Sequence, residues 1–202
     1  DRQYWTPADV IDADGPELSL RCYLEHRDLR AMIAQVPPER RGTGVEVGCG
    51  FGRLTVVLRE FFTRSVGVER EEGLLQIARA LTPQIEYYST RELSDLKCVA
   101  GPVDFAMIFT VLTHMTDAQA RQVLDAMKQK VGRGWILVVE HTDPAERVGD
   151  ASEAKNFMVS GRPVAVFEEW MNPFKLVKSL PRTIEPTYAR KDVGHYLLFS
   201  HS

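Results

Sequence analysis

Three glycines at alternate positions lie where a buried strand, predicted at residues 44–47, gives way to a helix. The run reads Glu46-Val47-Gly48-Cys49-Gly50-Phe51-Gly52. Glycine allows the backbone to turn sharply and to approach a ligand that a Cβ atom would block. The helix that follows begins with unpaired N–H groups, which can bind polar ligands. This spacing favours a cofactor-binding turn over a purely structural one.

Two carboxylates flank this turn and restrict the ligand it would take. Glu69 ends the second predicted strand, where an acid in a Rossmann-like sheet accepts hydrogen bonds from ribose hydroxyls. A dinucleotide site would need glycine at position 53, and the residue there is Arg53. Glu46 has no role in a pyrophosphate site, but it suits an amide of the loop or, through water, the ammonium of an amino acid. The predicted ligand is a nucleoside with an amino-acid arm and no phosphate.

The elements that must position these residues alternate between strands and helices, which predicts an α/β fold with a doubly wound, mostly parallel sheet and helices on both faces. Strands are predicted at 44–47, 65–69, 85–88, 103–109, 135–139, 183–188 and 195–199. Helices are predicted at 17–36, 54–61, 74–81 and 117–131, and from Asn172-Pro173 to Leu180. The short connection between the last two strands predicts that they form a C-terminal antiparallel hairpin. Residues 141–161 lack periodicity and are predicted to be mainly loop.

The chain resembles the class I S-adenosylmethionine-dependent methyltransferases. The similarity includes the acid and glycines of 46–52, Val66-Gly67-Val68-Glu69, the start of the fourth strand at 103–108, residues 111–115 and Gly132-Arg133-Gly134. The terminal hairpin would complete that family's Rossmann-like seven-stranded pattern. The resemblance implies an enzyme that binds S-adenosyl-L-methionine, releases S-adenosyl-L-homocysteine and methylates a small-molecule acceptor, at oxygen or nitrogen.

The resemblance also implies which residues contact the cofactor. They are Glu46, Gly48, Cys49, Gly50, Phe51, Gly52, Glu69, Arg70, Thr90, Arg91, Phe109, Thr110 and Val111. Thr90 or Arg91 occupies the position after the third strand where the family often has an acid that binds the adenine amino group. Backbone contacts would replace that acid here.

Candidate catalytic residues follow the fourth and fifth strands, because ligands of open α/β sheets bind at the carboxyl ends of strands. His114 and His141 occupy these positions, next to Glu140. A histidine titrates near neutral pH and can take a proton from an acceptor, although a packed loop residue is an equal interpretation of His114. No third ligand accompanies His141 and Asp143, so no metal site is predicted.

The domain plan has one unit over residues 1–202, because 202 residues are typical of one compact domain. Residues 1–40 are predicted to be an N-terminal lid and helix, in which Tyr4 and Trp5 cover the cofactor or dock on the core. The cofactor-binding core spans 41–141, an acceptor-pocket insert 142–182, and the terminal strand pair 183–202. Phe167 and Trp170 of the insert either line the acceptor pocket or form its core.

Charge and composition exclude several other classes. The net charge of −3 gives no general nucleic-acid footprint. From Pro173 onward basic residues exceed acidic ones, which suits an anionic substrate, although solvated side chains are the preferred interpretation. Three widely spaced cysteines and no long apolar run predict a soluble, cytoplasmic protein without membrane partners. A protein-directed methyltransferase, a non-catalytic nucleoside-binding module and a dehydrogenase remain as alternatives.

Overall fold

The computed structural model describes residues 15–144, 147–148, 159–182 and 194–201. The α-helices of this part are α1 (Gly15–Ile33), α2 (Thr55–Leu58), α3 (Glu72–Leu81), α4 (Asp117–Val131) and α5 (Val164–Met171). The strands are β1 (Thr43–Val47), β2 (Arg64–Glu69), β3 (Glu86–Ser89), β4 (Phe105–Phe109), β5 (Gly134–Glu140), β6 (Arg147–Val148), β7 (Val159–Ser160), β8 (Lys175–Pro181) and β9 (His195–His201). Short 3₁₀ turns occur at Pro38–Arg40 and Leu112–His114.

Seven of these strands form one sheet in the order β3-β2-β1-β4-β5-β9-β8. β9 runs antiparallel to both of its neighbours, and the pairs from β3 to β5 are parallel. The strand order reverses between β1 and β4, which is where open α/β sheets bind ligands. The carboxyl ends of β1, β2, β4, β5 and β8 and the start of β9 therefore meet at one edge of the sheet, called the carboxyl edge below.

Both faces of the sheet are covered by apolar side chains, as a parallel sheet requires. One face packs α1 and α2 against Phe105, Met107 and Phe109. The other packs α4 and α5 against alternate residues such as Ala106 and Ile108. The predicted seven-stranded, mostly parallel fold with an antiparallel C-terminal pair is confirmed.

Local signals in the sequence explain the ends of α4. The Thr116 hydroxyl accepts from the Gln119 amide, and the Gln119 side chain accepts from the Thr116 amide, which is a capping box. At the other end Gly132 adopts a φ of 64°, a conformation that favours glycine. The sequence predicted both ends.

The predicted helix from Asn172 to Leu180 is wrong. Residues 175–181 form β8, and the helix of this region, α5, lies before Asn172. The pairing of β8 with β9 shifts register between Leu176 and Lys178, so Val177 is an extra, bulged residue. Because of the bulge, Leu176 packs against one face of the sheet and Leu180 against the other. The sequence of β8 therefore lacks the regular alternation of apolar and polar residues that predicts a strand.

The region after β5 was predicted as loop and contains the two-stranded ribbon of β6 and β7. The predicted lid residues Tyr4 and Trp5 and the predicted strand at 183–188 lie outside the described residues. Phe167 is fully buried, and Trp170 packs edge to face on it with the ring centroids 6.1 Å apart. Both side chains therefore belong to the core rather than to a solvent-open pocket.

Candidate active site

The glycine turn has the backbone that its sequence predicted. Gly48, Gly50 and Gly52 have φ angles of 74°, 55° and 82°. Residues with a side chain rarely adopt such positive values of φ. A Cβ atom on Gly48 would lie 2.6 Å from Val111 Cγ2, and one on Gly52 would collide with the Tyr87 hydroxyl. A Cβ atom on Gly50 would meet nothing within 4 Å. Gly48 and Gly52 are thus required by protein packing, whereas Gly50 presents bare backbone to open space.

Glu69 at the end of β2 is held beside this open backbone. Its Oε2 accepts from the Gly50 amide at 2.9 Å, and its Oε1 accepts from the amides of Arg70 and Glu71 at 2.7 and 3.2 Å. A carboxylate oxygen can accept two hydrogen bonds, so Oε2 retains capacity for a further donor. The side chain is therefore fixed in orientation and still able to accept from a hydroxyl.

Glu46 is fully enclosed beneath the turn. Its Oε2 accepts from the Thr55 hydroxyl at 2.5 Å, so the partner seen is this hydroxyl of α2 rather than a loop amide. Burial raises the pKa of Glu46 to about 8, and the Thr55 hydroxyl opposes that shift. The carboxyl group thus ties β1 to the helix that starts behind the turn. Thr55 carried no signal in the sequence analysis beyond its position at the start of that helix.

The other residues that were predicted to contact the cofactor near the glycine turn and β3 differ in their environments. Cys49 is buried, and burial raises the pKa of its thiol well above the usual value, so it is a neutral packing group. The Thr90 hydroxyl donates within its own turn to the carbonyl oxygens of Glu92 and Asp95. Phe51 is half-buried, and Arg70 and Arg91 are exposed on the surface.

A strained turn follows β4 at the same edge. Thr110 has a φ of 50°, in the left-handed region that costs an L-residue about 1–2 kcal/mol. The three residues after Thr110 are held by Glu140 at the end of β5. Its Oε1 accepts from the amides of Val111 and Leu112 at 2.8 and 2.7 Å, and its Oε2 accepts from the Thr113 amide at 3.1 Å. Burial raises the pKa of Glu140 to about 7, against the effect of these amides.

Arg162 holds the other end of this turn, and the sequence analysis did not identify it. Its Nη1 donates to the Leu112 carbonyl at 2.8 Å and its Nη2 to the Met115 carbonyl at 2.5 Å. The same guanidinium pairs with Asp117 at 2.9 Å, and its backbone amide donates to the His141 carbonyl at 3.0 Å. Residues 111–115 are thus clamped between Glu140 and Arg162.

The two histidines predicted to be catalytic lie on the segments that Glu140 and Arg162 connect, namely the turn after β4 and the residues after β5. His114 is in the 3₁₀ turn and His141 follows β5, and both are half-buried. A third histidine, His195, starts β9 opposite Glu140, and its Nδ1 lies 2.7 Å from the Thr142 hydroxyl. The sequence predicts a strand at His195 but no functional role, because only the pairing of β9 with β5 brings this residue to the carboxyl edge.

Within the described residues, no group of three or more His, Cys, Asp or Glu side chains could hold a metal ion. In the same part of the chain no helix has both the length and the apolar character needed to cross a membrane.

Comparison with known proteins agrees with this geometry. Residues 45–134, from β1 to the start of β5, match the family model described as a methyltransferase domain. The trans-aconitate 2-methyltransferase of Azoarcus sp. is 28% identical over 130 residues, which cover 60% of this chain and 49% of that protein. The enzyme of the same name from Sinorhizobium fredii is 24% identical over 178 residues, covering 84% and 66%. The chain thus spans about half to two thirds of the length of these relatives.

Solved structures share the fold at low identity. The magnesium protoporphyrin IX methyltransferase of Synechocystis, crystallised with S-adenosylmethionine, superposes with a TM-score of 0.70 at 13% identity and covers 95% of this chain and 88% of its own. An S-adenosylmethionine-dependent methyltransferase from Mesorhizobium loti gives 0.67 at 19% identity, covering 88% and 98%.

The sheet order, the glycine turn with its acid and the match over residues 45–134 define a Rossmann-like methyltransferase domain. The predicted resemblance to the class I S-adenosylmethionine-dependent methyltransferases is confirmed over this region. The predicted enzyme class and type of cofactor agree with these findings, whereas the roles predicted for individual residues stay predictions.

Proposed function

We propose that this chain transfers a methyl group from S-adenosylmethionine to an oxygen or nitrogen of a small-molecule acceptor. The observation that carries the proposal is the open backbone of Gly50, which is bonded through its amide to the Glu69 carboxylate. A nucleoside fits this arrangement, because its base and sugar need close approach to main chain and its hydroxyls need a fixed acceptor. When bound, the cofactor supplies an electrophilic methyl group on a sulfonium.

The residues of the chain would contribute mainly by positioning. Gly50 and Glu69 would hold the nucleoside, and the clamped turn at 111–115 would face the opposite side of the same cleft. Precise orientation of two reactants supplies a large part of the rate in such a displacement. The strain at Thr110 is maintained by Glu140 and Arg162, which keeps this wall of the site in one geometry.

A general base is required only when the acceptor carries a proton at the working pH. His114 and His141 are proposed for this role because both follow strands that end at the carboxyl edge. A carboxylate acceptor would need no base, because it is already ionised near neutral pH. The small-molecule acceptor is supported by the curated relatives, whose names specify methylation of trans-aconitate.

Calorimetry with S-adenosylhomocysteine tests the proposal directly. We expect Gly50→Ala to weaken binding at least about tenfold, because the new methyl group would fill space reserved for the ligand. Gly101→Ala is the matched control, since Gly101 also has a positive φ, 79°, and open space around its Cβ position. Both variants carry the same backbone strain, so only the first should lose affinity. Equal affinities in the two variants, or no heat with the wild-type protein, would contradict the proposed site.

A further inference from the structure

A cluster of buried charged side chains connects the glycine turn with the end of β8. Glu25 of α1 receives two guanidinium groups: Arg53 Nη1 pairs with its Oε2, and Arg182 Nη2 pairs with its Oε1 at 2.6 Å. Glu25 and Arg182 expose only 3% and 2% of their side chains, and Arg53 exposes 22%. Arg53 directly follows Gly52, and Arg182 directly follows β8.

This group contains more positive than negative charge among the described residues. Two guanidinium groups share the one carboxylate of Glu25, and the nearby Asp28 is paired with Arg27 at 2.7 Å. Burial lowers the pKa of His26, which contacts the Arg53 carbonyl, so this histidine adds no charge near neutral pH. An unbalanced buried charge is costly unless a counter-charge arrives.

Two hydrogen-bond donors at this cluster have no partner within the described residues. Within the described part of the chain, the buried Arg182 Nε has no hydrogen-bond partner, and neither has the Tyr196 hydroxyl on the same face of the sheet. Arg182 lies over the ring of Phe109, 4.9 Å from its centroid, and Phe109 contacts Tyr196 edge to face. A buried donor without a partner destabilises a protein, so such atoms mark places that a ligand can satisfy.

The position of the group relates it to the candidate active site. Phe109 ends β4, immediately before the strained Thr110, and Arg53 follows the last glycine of the turn. The two arginines therefore approach the reaction region from its two sides, one from the cofactor turn and one from the end of β8. Arginine is the side chain best suited to bind a carboxylate through two parallel hydrogen bonds.

We infer that Arg53 and Arg182, held together by Glu25, bind a carboxylate of a ligand in the methyl-transfer site. This inference rests on the proposed function. The carboxylate belongs either to the amino-acid arm of the cofactor or to the acceptor, and both present the same chemistry. Arg53, the more exposed of the two arginines, contacts the carboxylate of the ligand first. Arg182 contributes the additional positive charge and the Nε–H group that has no partner within the described residues. Of the basic residues after Pro173, Arg182 is thus buried rather than solvated.

The test compares ligands that differ only in the carboxylate. S-adenosylhomocysteine and S-adenosyl-3-thiopropylamine, its decarboxylated analogue, are titrated into wild type, Arg53→Met and Arg182→Met. If the cofactor is the source, wild type prefers the carboxylate-bearing ligand, and both variants lose about tenfold or more of that affinity while their affinity for the analogue is unchanged. A purely structural role would weaken both ligands equally.

The second arm tests the acceptor as the source. Trans-aconitate and acetate are titrated into protein saturated with S-adenosylhomocysteine, and the methionine variants should bind them about tenfold more weakly or worse. Arg30→Met is the matched control, because Arg30 also pairs with a glutamate, Glu60, but on the exposed surface. It should leave every affinity unchanged.

Arg53→Lys and Arg182→Lys keep the charge and the pairing with Glu25, and they serve if a methionine variant does not fold. They should lose part of the carboxylate affinity, because lysine lacks the planar fork of donors. Folded variants whose affinities for all carboxylate ligands match those of the wild type overturn the inference. In that case wild-type binding of S-adenosylhomocysteine would leave the proposed function standing, whereas its absence would remove both.

Discussion

At the scale of single residues, the candidate site depends on buried carboxylates that bind backbone rather than solvent. Glu69 and Glu140 each accept three backbone amides, at the ends of β2 and β5. The sequence predicted the position of both but not these partners, because loop amides reach them only after the strands pair. Glycine positions were predictable from the sequence alone, since their conformation is a local property.

Replacing Glu69 tests its predicted contact with the ribose. In Glu69→Gln the side-chain amide nitrogen would oppose a backbone N–H, because all three partners of Glu69 are donors. We expect the affinity for S-adenosylhomocysteine to fall by about 1.5–3 kcal/mol, the usual value of hydrogen bonds to a charged group. Glu72→Gln is the control, since Glu72 forms only an exposed pair with Arg79. Unchanged affinity in Glu69→Gln would exclude the ribose role.

Glu46 predicts how stability depends on pH. Its pKa is raised to about 8 in the folded protein from an ordinary 4.5, so the folded state binds this proton more tightly than the unfolded state. The stability associated with that proton is fully present below pH 4.5 and is lost as the pH rises toward 8. Glu46→Gln should remove this loss, so the variant gains stability relative to wild type across that interval. Urea unfolding at several pH values measures the difference, and parallel profiles would contradict it.

At the scale of elements, the turn after β4 is connected to a segment about 50 residues later in the chain through Arg162. Sequence periodicity predicted α4, because the apolar positions that define it lie within a few residues of one another. It failed at β8, where the bulge at Val177 gives apolar residues a helix-like spacing. It also missed Arg162, whose partners are backbone carbonyls that carry no side-chain signature.

Arg162→Met should loosen the turn at 112–115. The variant loses two hydrogen bonds from a charged group to carbonyls, besides the pair with the exposed Asp117, so we expect a loss of at least about 1.5–3 kcal/mol in stability, the usual value of one such hydrogen bond. Hydrogen exchange at the amides of this turn should accelerate more than exchange in β1. Arg121→Met is the matched control, because Arg121 and Arg162 both lie over the Trp170 ring, 5.0 and 5.6 Å from its centroid, but Arg121 is exposed and pairs with Glu169. Equal exchange in the two variants would show that Arg162 does not hold the turn.

At the scale of the whole molecule, the fold class was predictable because strands, helices and the glycine turn occur in an order that few architectures share. Substrate identity was not, because the residues proposed to surround the acceptor come from the ends of several strands. His141, Arg182 and His195 are separated in sequence and are brought to the carboxyl edge by the pairing of β5, β9 and β8.

Thermal unfolding separates the methyltransferase from the dehydrogenase alternative. A ligand present at one hundred times its dissociation constant stabilises the folded state by about 2.7 kcal/mol. For a chain of 202 residues, S-adenosylhomocysteine should then raise Tm by about 5–10 °C. NAD at the same concentration should leave Tm unchanged, because Arg53 replaces the third glycine of a dinucleotide turn. A shift with NAD alone would reverse the assignment of the cofactor.

The backbone amide of Arg182 donates to the Gly194 carbonyl at 2.8 Å, and this bond brings together the two ends of the connection between β8 and β9. Both ends are fixed beside the reaction region, so lengthening the intervening peptide alters neither strand nor their register. Doubling the length of such a connection costs only about 0.6 kcal/mol of closure entropy. The register of β8 and β9, and with it the place of Arg182, is thus held by contacts of the strands and their ends.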